Sequence, residues 1–350
     1  MSGPENPQQP SGQRALARSG PVPEAWQPKP DREDPQNTMT LLVSRSEITA
    51  LLDVPSVLGI LRRGFTEATE IQPLRIRTDL PAPGTATALL PGLLPGIPAY
   101  TVKVNAKFPD ASPALRGLVC LHDLADGRLL AVLDSASVTA WRTGLAAGLA
   151  TDVLAAADAT SVSVIGAGAQ AAMVLRGLAA LRPLASLTVH DIDPTRASGF
   201  AQDLGISTNT VEGPQAAADR GDIVVLATWS RTPLLDVGDV RPGLHLTTLG
   251  ADEPGKIELS ADLLLAARTV VDDVRLAVSM GAIGNAGLGP ETVHATFSQV
   301  LSGALPGRES ADQATVYAPV GLPWQDLALA WPVYQAALAS GTARTMDFLA

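Results

Sequence analysis

The sequence predicts an α/β protein whose second half folds as a doubly wound parallel sheet. Short, continuous apolar runs alternate with helix-like segments from about residue 158 to 312, which is typical of a parallel sheet covered by helices on both faces. The chain has 350 residues, enough for about two domains. Of these residues, 46% are hydrophobic, so sizeable cores are expected.

Residues 1–38 contain eight prolines and show neither a helical nor a strand period. Such a segment cannot bury enough apolar surface to offset the entropy of ordering it, so we predict a disordered tail. Because Met39 directly precedes the first apolar run, we also hypothesise that translation starts there.

The remaining sequence on both sides of the parallel sheet, residues 39–157 and 313–350, predicts a discontinuous α+β domain that binds substrate and forms the dimer. Its C-terminal part is expected to return and pack on the first part. The predicted elements are, in order, a helix over residues 47–69 with Ser46 as its N-cap, strands and turns over 71–105, two strands over 116–134, and helices over 136–157 and 317–348.

The segment between them, residues 158–312, predicts alternating strands and helices. Strands are expected at residues 161–165, 187–191, 223–228, 244–249 and 269–272, with helices over 171–181 and 195–204.

One loop of this segment reads VIGAGAQA, a GxGxxA pattern that follows a predicted strand and opens a predicted helix. Gly166 permits the tight turn, Gly168 lets a pyrophosphate approach the backbone, and Ala171 permits close packing of helix on strand. Ala169 and Gln170 lie at the helix N-terminus, whose free N–H groups and positive dipole end favour phosphates. The pattern predicts a Rossmann-type dinucleotide-binding domain.

Asp191 ends the second predicted strand of this domain. An acidic residue about 20 residues after the glycine loop binds the ribose 2′-hydroxyl and repels a 2′-phosphate, so NAD is predicted over NADP. Asp193 is the alternative if the strand runs longer, and Arg196 would soften the preference.

Charge and cysteine content exclude several classes. The chain carries 35 acidic and 25 basic residues, a net charge of −10, which argues against a broad basic surface for nucleic acid. A single cysteine, Cys120, excludes an internal disulfide and a cysteine-rich zinc site, and the four histidines form no metal-binding motif. We expect no metal, no signal peptide, no transmembrane helix and a cytoplasmic location.

Four further segments carry suggestive residues: QPLR at 72–75, TVKV at 101–104, VTAWRTG at 138–144 and LGADEPGKIEL at 249–259. With the glycine loop, and in this order, they resemble the ornithine cyclodeaminase/mu-crystallin family from about Leu41 to the C-terminus. The most specific pieces are the T-x-x-R-T helix, the VIGAGAQA loop and the GADxPGKxEL segment.

The resemblance implies a carboxylate-binding arginine at Arg75, a substrate lysine at Lys103, a further arginine at Arg142 and a catalytic aspartate at Asp252. Lys103 is also taken as a candidate catalytic residue, and Thr143 completes the predicted cofactor-binding set. The resemblance further implies a homodimer formed through the non-Rossmann domain, with an amino acid or imine substrate in the cleft beside the nicotinamide.

The chemistry of these residue types agrees with that assignment. An α-carboxylate suits the planar fork of an arginine and the point charge of a lysine. Asp252 follows a predicted Rossmann strand at the edge where ligands bind, and a carboxylate there can accept a proton near the amine. Arg77 remains an alternative to Arg75, and Lys107 to Lys103.

Two departures from the cyclodeaminase pattern bear on the reaction. Residues 87–92 contain no acid where dedicated cyclodeaminases tend to carry a glutamate, and Lys107 puts a cation where ornithine enzymes keep a neutral turn. Both disfavour ornithine, so the prediction is an NAD(P)-dependent amino acid/imino acid oxidoreductase. An ornithine cyclodeaminase that forms proline and ammonia with catalytic NAD is the alternative, and a non-catalytic dinucleotide-binding protein is the second alternative.

Overall fold

A computed structural model describes residues 39–67, 75–81, 85–108, 111, 113–341 and 343–348. The predicted tail over residues 1–38 and residues 72–74 of the QPLR segment lie outside the described residues, and translation from Met39 stays a hypothesis. The described strands are β1 (Met39–Val43), β2 (Ile76–Asp79), β3 (Ala86–Gly92), β4 (Ala99–Lys107), β5 (Leu115–Asp123), β6 (Leu129–Asp134), β7 (Ser161–Ile165), β8 (Ser186–His190), β9 (Thr208–Thr210), β10 (Ile223–Leu226), β11 (Arg231–Leu235), β12 (His245–Thr248), β13 (Ile257–Leu259), β14 (Arg268–Val271), β15 (Val293–Thr296), β16 (Thr315–Tyr317) and β17 (Arg344–Asp347).

Helices connect most of these strands. They are α1 (Arg45–Leu51), α2 (Val54–Glu67), α3 (Ser135–Leu154), α4 (Ala169–Leu181), α5 (Pro194–Gly199), α6 (Pro214–Ala218), α7 (Ala261–Ala266), α8 (Val274–Ser279), α9 (Ala282–Asn285), α10 (Phe297–Leu301) and α11 (Trp324–Ser340), with short 3-10 helices at Gln202–Leu204, Val237–Asp239 and Pro290–Thr292. No helix in these ranges is both long enough and apolar enough to cross a bilayer.

The predicted Rossmann-type parallel sheet is confirmed. Among the described residues it has eight strands in the order β15-β14-β16-β12-β10-β7-β8-β9, and its strand pairs are parallel. The strands β10, β12, β14 and β16 are buried along their whole length, which explains their continuous apolar runs. The chain order reverses at β7, so the loops after β7 and β10 flank the crevice where ligands bind in such sheets.

Strand β16 lies in this parallel sheet, between β12 and β14. The sheet therefore extends beyond the boundary predicted at residue 312, because Thr315–Tyr317 completes the ladder between two buried strands. Apart from this strand, the division into two domains stays a prediction.

The second sheet contains both ends of the described chain, as the discontinuous α+β arrangement requires. Its seven described strands have the order β17-β1-β6-β5-β4-β3-β2. Strands β2 to β6 form an antiparallel meander, while β1 pairs in parallel with β6 and antiparallel with β17. Helix α11 packs against β4 and α3, so the C-terminal segment returns to this sheet.

Helix α3 lies against α4, the helix that the glycine loop opens. Glycines allow this close contact: a Cβ on Gly144 would come within 2.3 Å of the Met173 Cβ. Any larger residue at position 144 would push the two helices apart. The T-x-x-R-T segment in α3 is thereby held beside the glycine loop.

Three local expectations were wrong. The helix predicted over 47–69 is split into α1 and α2, because Leu52 is extended and Asp53 accepts a hydrogen bond from the Ser56 N–H. The first N-cap is Ser44, which forms a capping box with Glu47, and Ser46 is not the cap. The helix predicted to residue 348 ends at Ser340, and β17 follows it as an edge strand.

Candidate active site

One cleft is lined by side chains from both sheets and encloses about 1080 Å³ of space, open solvent included. Its lining includes all four residues that the family resemblance singled out: Arg75, Lys103, Arg142 and Asp252. Gln170 of the glycine loop and Thr143 of α3 line the same cleft. The sequence motifs therefore converge on one place.

The first cluster of charges in the cleft is fully enclosed. Strand β4 is an interior strand, and Lys103 is 0% exposed, so it does not reach solvent from a sheet edge. Its Nζ lies 2.8 and 2.7 Å from the two carboxylate oxygens of Asp326. The Arg142 Nε lies 3.4 Å from the same carboxylate, and its Nη1 donates to the Gln325 Oε1 at 3.2 Å.

We call Lys103, Arg142 and Asp326 the inner group. Two cations share one carboxylate there, which leaves one positive charge in excess. Burial and the neighbouring Arg142 lower the pKa of Lys103 to about 7, although Asp326 opposes them. Lys103 is thus able to exchange a proton near neutral pH.

The second cluster surrounds Asp252 at the other side of the cleft. Arg75 Nη1 donates to the Asp252 backbone oxygen at 3.2 Å, and Nη2 lies 3.9 Å from the carboxylates of Asp252 and Glu253. Lys256 Nζ donates to the Asp252 Oδ1 at 3.0 Å. Lys107 Nζ lies 3.7 Å from the Asp252 Oδ2 and forms an ion pair with Glu253.

These five residues, Arg75, Lys107, Lys256, Asp252 and Glu253, are called the outer group. Three cations face two carboxylates, so this group too has one positive charge in excess. Trp229 lies beside it, with the Lys256 and Lys107 ammonium nitrogens 4.9 and 5.6 Å from the indole centroid. The outer group is more open than the inner one: Asp252 is 23% exposed and Trp229 is 48% exposed.

The cations of the outer group keep Asp252 ionised. Burial raises the pKa of a carboxyl group, but Lys107, Lys256 and Arg75 together hold the pKa of Asp252 well below its usual range. A carboxylate is therefore present in the cleft at neutral pH.

Buried carboxylates fix the loops that carry both groups. Glu258 accepts hydrogen bonds from the Thr228 N–H and hydroxyl, the Thr248 hydroxyl and the Gly250 N–H, and so ties the loop before Asp252 to β10. Asp272 accepts from the N–H groups of Val320 and Gly321, which precede α11 and Asp326. Burial raises the pKa of both Glu258 and Asp272.

The glycine loop has the geometry that a dinucleotide requires. Gly166 has φ +95°, and a Cβ there would lie 2.6 Å from the Ala227 oxygen. Around a Cβ on Gly168, by contrast, no described atom lies within 4 Å. Gly168 is the N-cap of α4 and gives it no side-chain cap, so the first N–H groups of the helix, which include those of Ala169 and Gln170, have no capping side chain and suit a phosphate.

Asp191 directly follows β8 and lies beside this loop. Its carboxylate accepts from the Ala167 N–H at 2.7 Å and from the Asp193 N–H at 2.8 Å. Asp193, the alternative, caps α5 by accepting from the Thr195 N–H, and Arg196 lies 3.5 Å from Asp193. Asp191 is thus bonded to the glycine loop, whereas Asp193 is bonded to the start of α5.

Six buried polar atoms of cleft-lining residues lack a hydrogen-bond partner among the described residues: the Nε atoms of Arg75, Arg77 and Arg142, and the neutral atoms Thr139 Oγ1, Thr143 Oγ1 and Asn105 Oδ1. Buried polar groups are normally paired. Unpaired atoms at this place therefore fit a cleft built to receive a polar ligand.

Several cleft residues had no predicted role. Asp326 and Gln325 stand at the start of an apolar helix, where a buried acid is unusual. Glu253 and Lys256 belong to the GADxPGKxEL segment, in which only Asp252 was assigned a role. Lys107, predicted as an alternative to Lys103 and as a cation that disfavours ornithine, lies on the same face of β4 as Lys103 because side chains alternate along a strand.

Comparison with known proteins agrees with these motifs. The sequence profile of the ornithine cyclodeaminase/mu-crystallin family matches residues 39–341. An alanine dehydrogenase of Archaeoglobus fulgidus is 35% identical over 67% of this chain and 75% of its own length.

Solved structures extend the likeness to the fold. An archaeal alanine dehydrogenase dimer with bound NAD aligns with a TM-score of 0.82 at 29% identity, over 89% of this chain and 100% of that one. The Thermococcus litoralis Δ1-pyrroline-2-carboxylate reductase, in complex with NADH and L-proline, aligns with a TM-score of 0.83 at 28% identity, over 88% of this chain and 100% of that one. The chain belongs to the ornithine cyclodeaminase/mu-crystallin family.

Proposed function

We propose that the protein is an NAD-dependent oxidoreductase that transfers hydride between Cα of an L-amino acid, or the corresponding imine, and nicotinamide. One observation carries this proposal. Arg75, Lys103, Arg142 and Asp252 line the same cleft as Gln170 and Thr143. Relatives named as dehydrogenases and reductases, with NAD or NADH in their structures, support it.

The inner group and Arg75 supply the binding site for the α-carboxylate. The excess positive charge of the inner group lies in a dry environment, where an ion pair with a carboxylate is strong. Arg75 adds a planar fork, one nitrogen of which is already held by the Asp252 backbone oxygen. This contact orients the guanidinium toward the cleft.

Asp252 and Lys103 are the proposed catalytic residues. Ionised Asp252 holds the substrate ammonium by ion pairing and accepts its proton when the amine is needed. Lys103, with a pKa of about 7, accepts or donates a second proton. NAD bound at the glycine loop supplies the hydride acceptor for Cα.

Two features favour this reaction over cyclodeamination of ornithine. The cleft residues from β3 are all neutral, so they give no counter-charge to a distal ammonium; they are Ala86, Thr87, Ala88 and Leu90. Lys107 adds a cation to the same cleft. A diamino acid would meet this positive charge, which raises the cost of binding it.

We also propose that NAD is preferred over NADP. Asp191 lies where a ribose 2′-hydroxyl is bound, and its carboxylate would repel a 2′-phosphate.

A homodimer is proposed on the outer face of the mixed sheet. Ile76, Leu89, Val104 and Leu118 are cross-strand neighbours in one row over β2 to β5, and each is between 39% and 51% exposed. A continuous apolar row of this kind marks an interface. Light scattering should give twice the chain mass, and Val104→Glu should lower it; a monomeric wild type would contradict this proposal.

The test of the reaction follows NADH and ammonia together, with L-amino acids including L-ornithine, and with cyclic imines, as separate substrates. The proposal predicts equal amounts of NADH and ammonia from an open-chain amino acid, or loss of NADH with an imine. Ammonia from ornithine without a net change in NADH would show the cyclodeaminase reaction. Binding of NADH without turnover of any substrate would favour a non-catalytic dinucleotide-binding protein.

A further inference from the structure

We infer that the outer group recognises a carboxylate on the substrate side chain, so that the substrate is an acidic amino acid or its imine. This inference rests on the proposed function and names the substrate class of the same cleft. It follows from how charge is divided within the cleft.

Together the two groups hold five cations against three carboxylates, so two positive charges are uncompensated while Lys103 is protonated, whichever of these cations the α-carboxylate contacts. In the inner group Lys103 and Arg142 share Asp326. In the outer group three cations face two carboxylates, and one of these cations is Lys107, which the resemblance to the family sets apart from ornithine enzymes. A ligand with two separate negative charges balances both excesses, whereas a ligand with one carboxylate balances one of them.

The other charges that line the cleft do not cancel these excesses. Arg77 is paired with Asp79 at 2.5 Å. Asp272 is bound by the N–H groups of Val320 and Gly321, and no ion pair joins it to either group within the described ranges. Both excess charges are therefore left for a ligand.

The spacing suits a short dicarboxylate. Lys103 and Lys107 lie on one face of β4, four residues apart, which separates their Cα atoms by about 13 Å. Both residues line the cleft, with their ammonium groups bound at Asp326 and Glu253, and a dicarboxylate of a few carbons matches a separation of this order. Asn105 lies between them on the same face, and its unpaired Oδ1 can accept a hydrogen bond from the substrate nitrogen.

A competing arrangement places a single α-carboxylate between both groups and leaves the side chain uncharged. The two arrangements differ in what Lys107 does. If Lys107 binds a side-chain carboxylate, its removal harms acidic substrates selectively. If it helps to bind the α-carboxylate, its removal harms every substrate equally.

The experiment compares L-aspartate with L-asparagine and L-glutamate with L-glutamine, because each pair has nearly the same shape and differs in side-chain charge. We expect kcat/KM to favour the acid over the amide at least ten-fold, as a charged hydrogen bond in a partly buried site would give. Lys107→Met, which keeps the length of the side chain, should remove most of this ratio. An effect of Lys107→Met on Asp252 that is the same for the acid and for its amide cancels in this ratio.

Arg62→Gln is the matched control, because it removes one exposed positive charge from α2 and should leave the ratio unchanged. A wild type that prefers neutral or basic amino acids, or a ratio that Lys107→Met leaves intact, would overturn the inference while the oxidoreductase proposal stands.

If neither an amino acid nor an imine is turned over, the proposed function fails, and binding then decides the inference. Calorimetry on the NADH-loaded protein would compare succinate with succinamate, its monoamide. Tighter binding of succinate by wild type, lost in Lys107→Met, would support a site for a second carboxylate. Equal binding of the two would overturn it.

Discussion

The inner and outer groups both contain one more cation than carboxylates, yet they differ in access to solvent. Lys103 and Asp326 are completely buried, whereas Asp252 is 23% and Lys107 16% exposed. A dry, closed group suits the α-carboxylate, which every amino acid substrate shares. A more open group, with long lysine side chains beside Trp229, suits the part of the substrate that varies and the proton transfer at the amine.

The largest expected effect comes from breaking the inner group. Asp326→Asn leaves Lys103 and Arg142 buried together without a counter-charge. Removing one partner of a buried ion pair costs about 3–5 kcal/mol, so the free energy of unfolding measured with urea should fall by that amount. Asp203→Asn breaks the Arg176 pair at the surface, where Asp203 is 57% exposed, and should cost at most about 1 kcal/mol. Similar losses of unfolding free energy in both variants would contradict the expected difference between the buried group and the surface pair.

Breaking the outer group should act on rate and leave stability nearly intact. Asp252→Asn keeps the shape but removes the proton acceptor, and kcat should fall roughly 10²–10⁴-fold. Affinity for NADH should be unchanged, since the glycine loop is untouched. Asp158→Asn, in an exposed turn, is the control. Undiminished turnover in the Asp252→Asn variant would show that Asp252 is not a catalytic residue.

Much of this site is predictable from sequence because its parts are local motifs. Asp252, Arg142 and Gly166 each lie in a short sequence motif, so the neighbouring residues identify each of them. Asp326 is different: its partner Lys103 is 223 residues away in sequence, so no local pattern reveals the pair. Strand β17 has four residues and one paired edge, and without an apolar period its sequence could not be distinguished from the end of a helix.

The pH dependence of the reaction rate should also distinguish the inner group from the outer group. Lys103 has a pKa of about 7 because of burial, so its neutral, proton-accepting form increases as pH rises through 7. Amino acid oxidation should therefore accelerate across this range, and imine reduction, which needs the protonated form, should slow. Asp252 is ionised throughout and adds no step. Lys103→Arg stays charged and should abolish the step near pH 7; an unchanged profile would exclude Lys103 as the titrating group.

The smallest effect is expected at the cofactor. Asp191→Ala removes the acceptor for the ribose hydroxyl and the repulsion of a 2′-phosphate, so the ratio of kcat/KM for NAD to that for NADP should fall roughly ten-fold or more. Asp193→Ala, which removes the α5 cap instead, should leave this ratio in place. If Asp193→Ala changes the ratio and Asp191→Ala does not, Asp193 and not Asp191 is the residue that selects NAD.

The net transfer of hydride from Cα to the cofactor is the central claim, and isotope transfer tests it most directly. The preferred L-amino acid would be supplied with deuterium at Cα, and the reduced cofactor would be analysed by mass spectrometry after one turnover. Deuterium in NADH, at one atom per molecule of ammonia released, is the predicted result. Deuterium released to water, or returned to Cα of a cyclic product, would contradict the account.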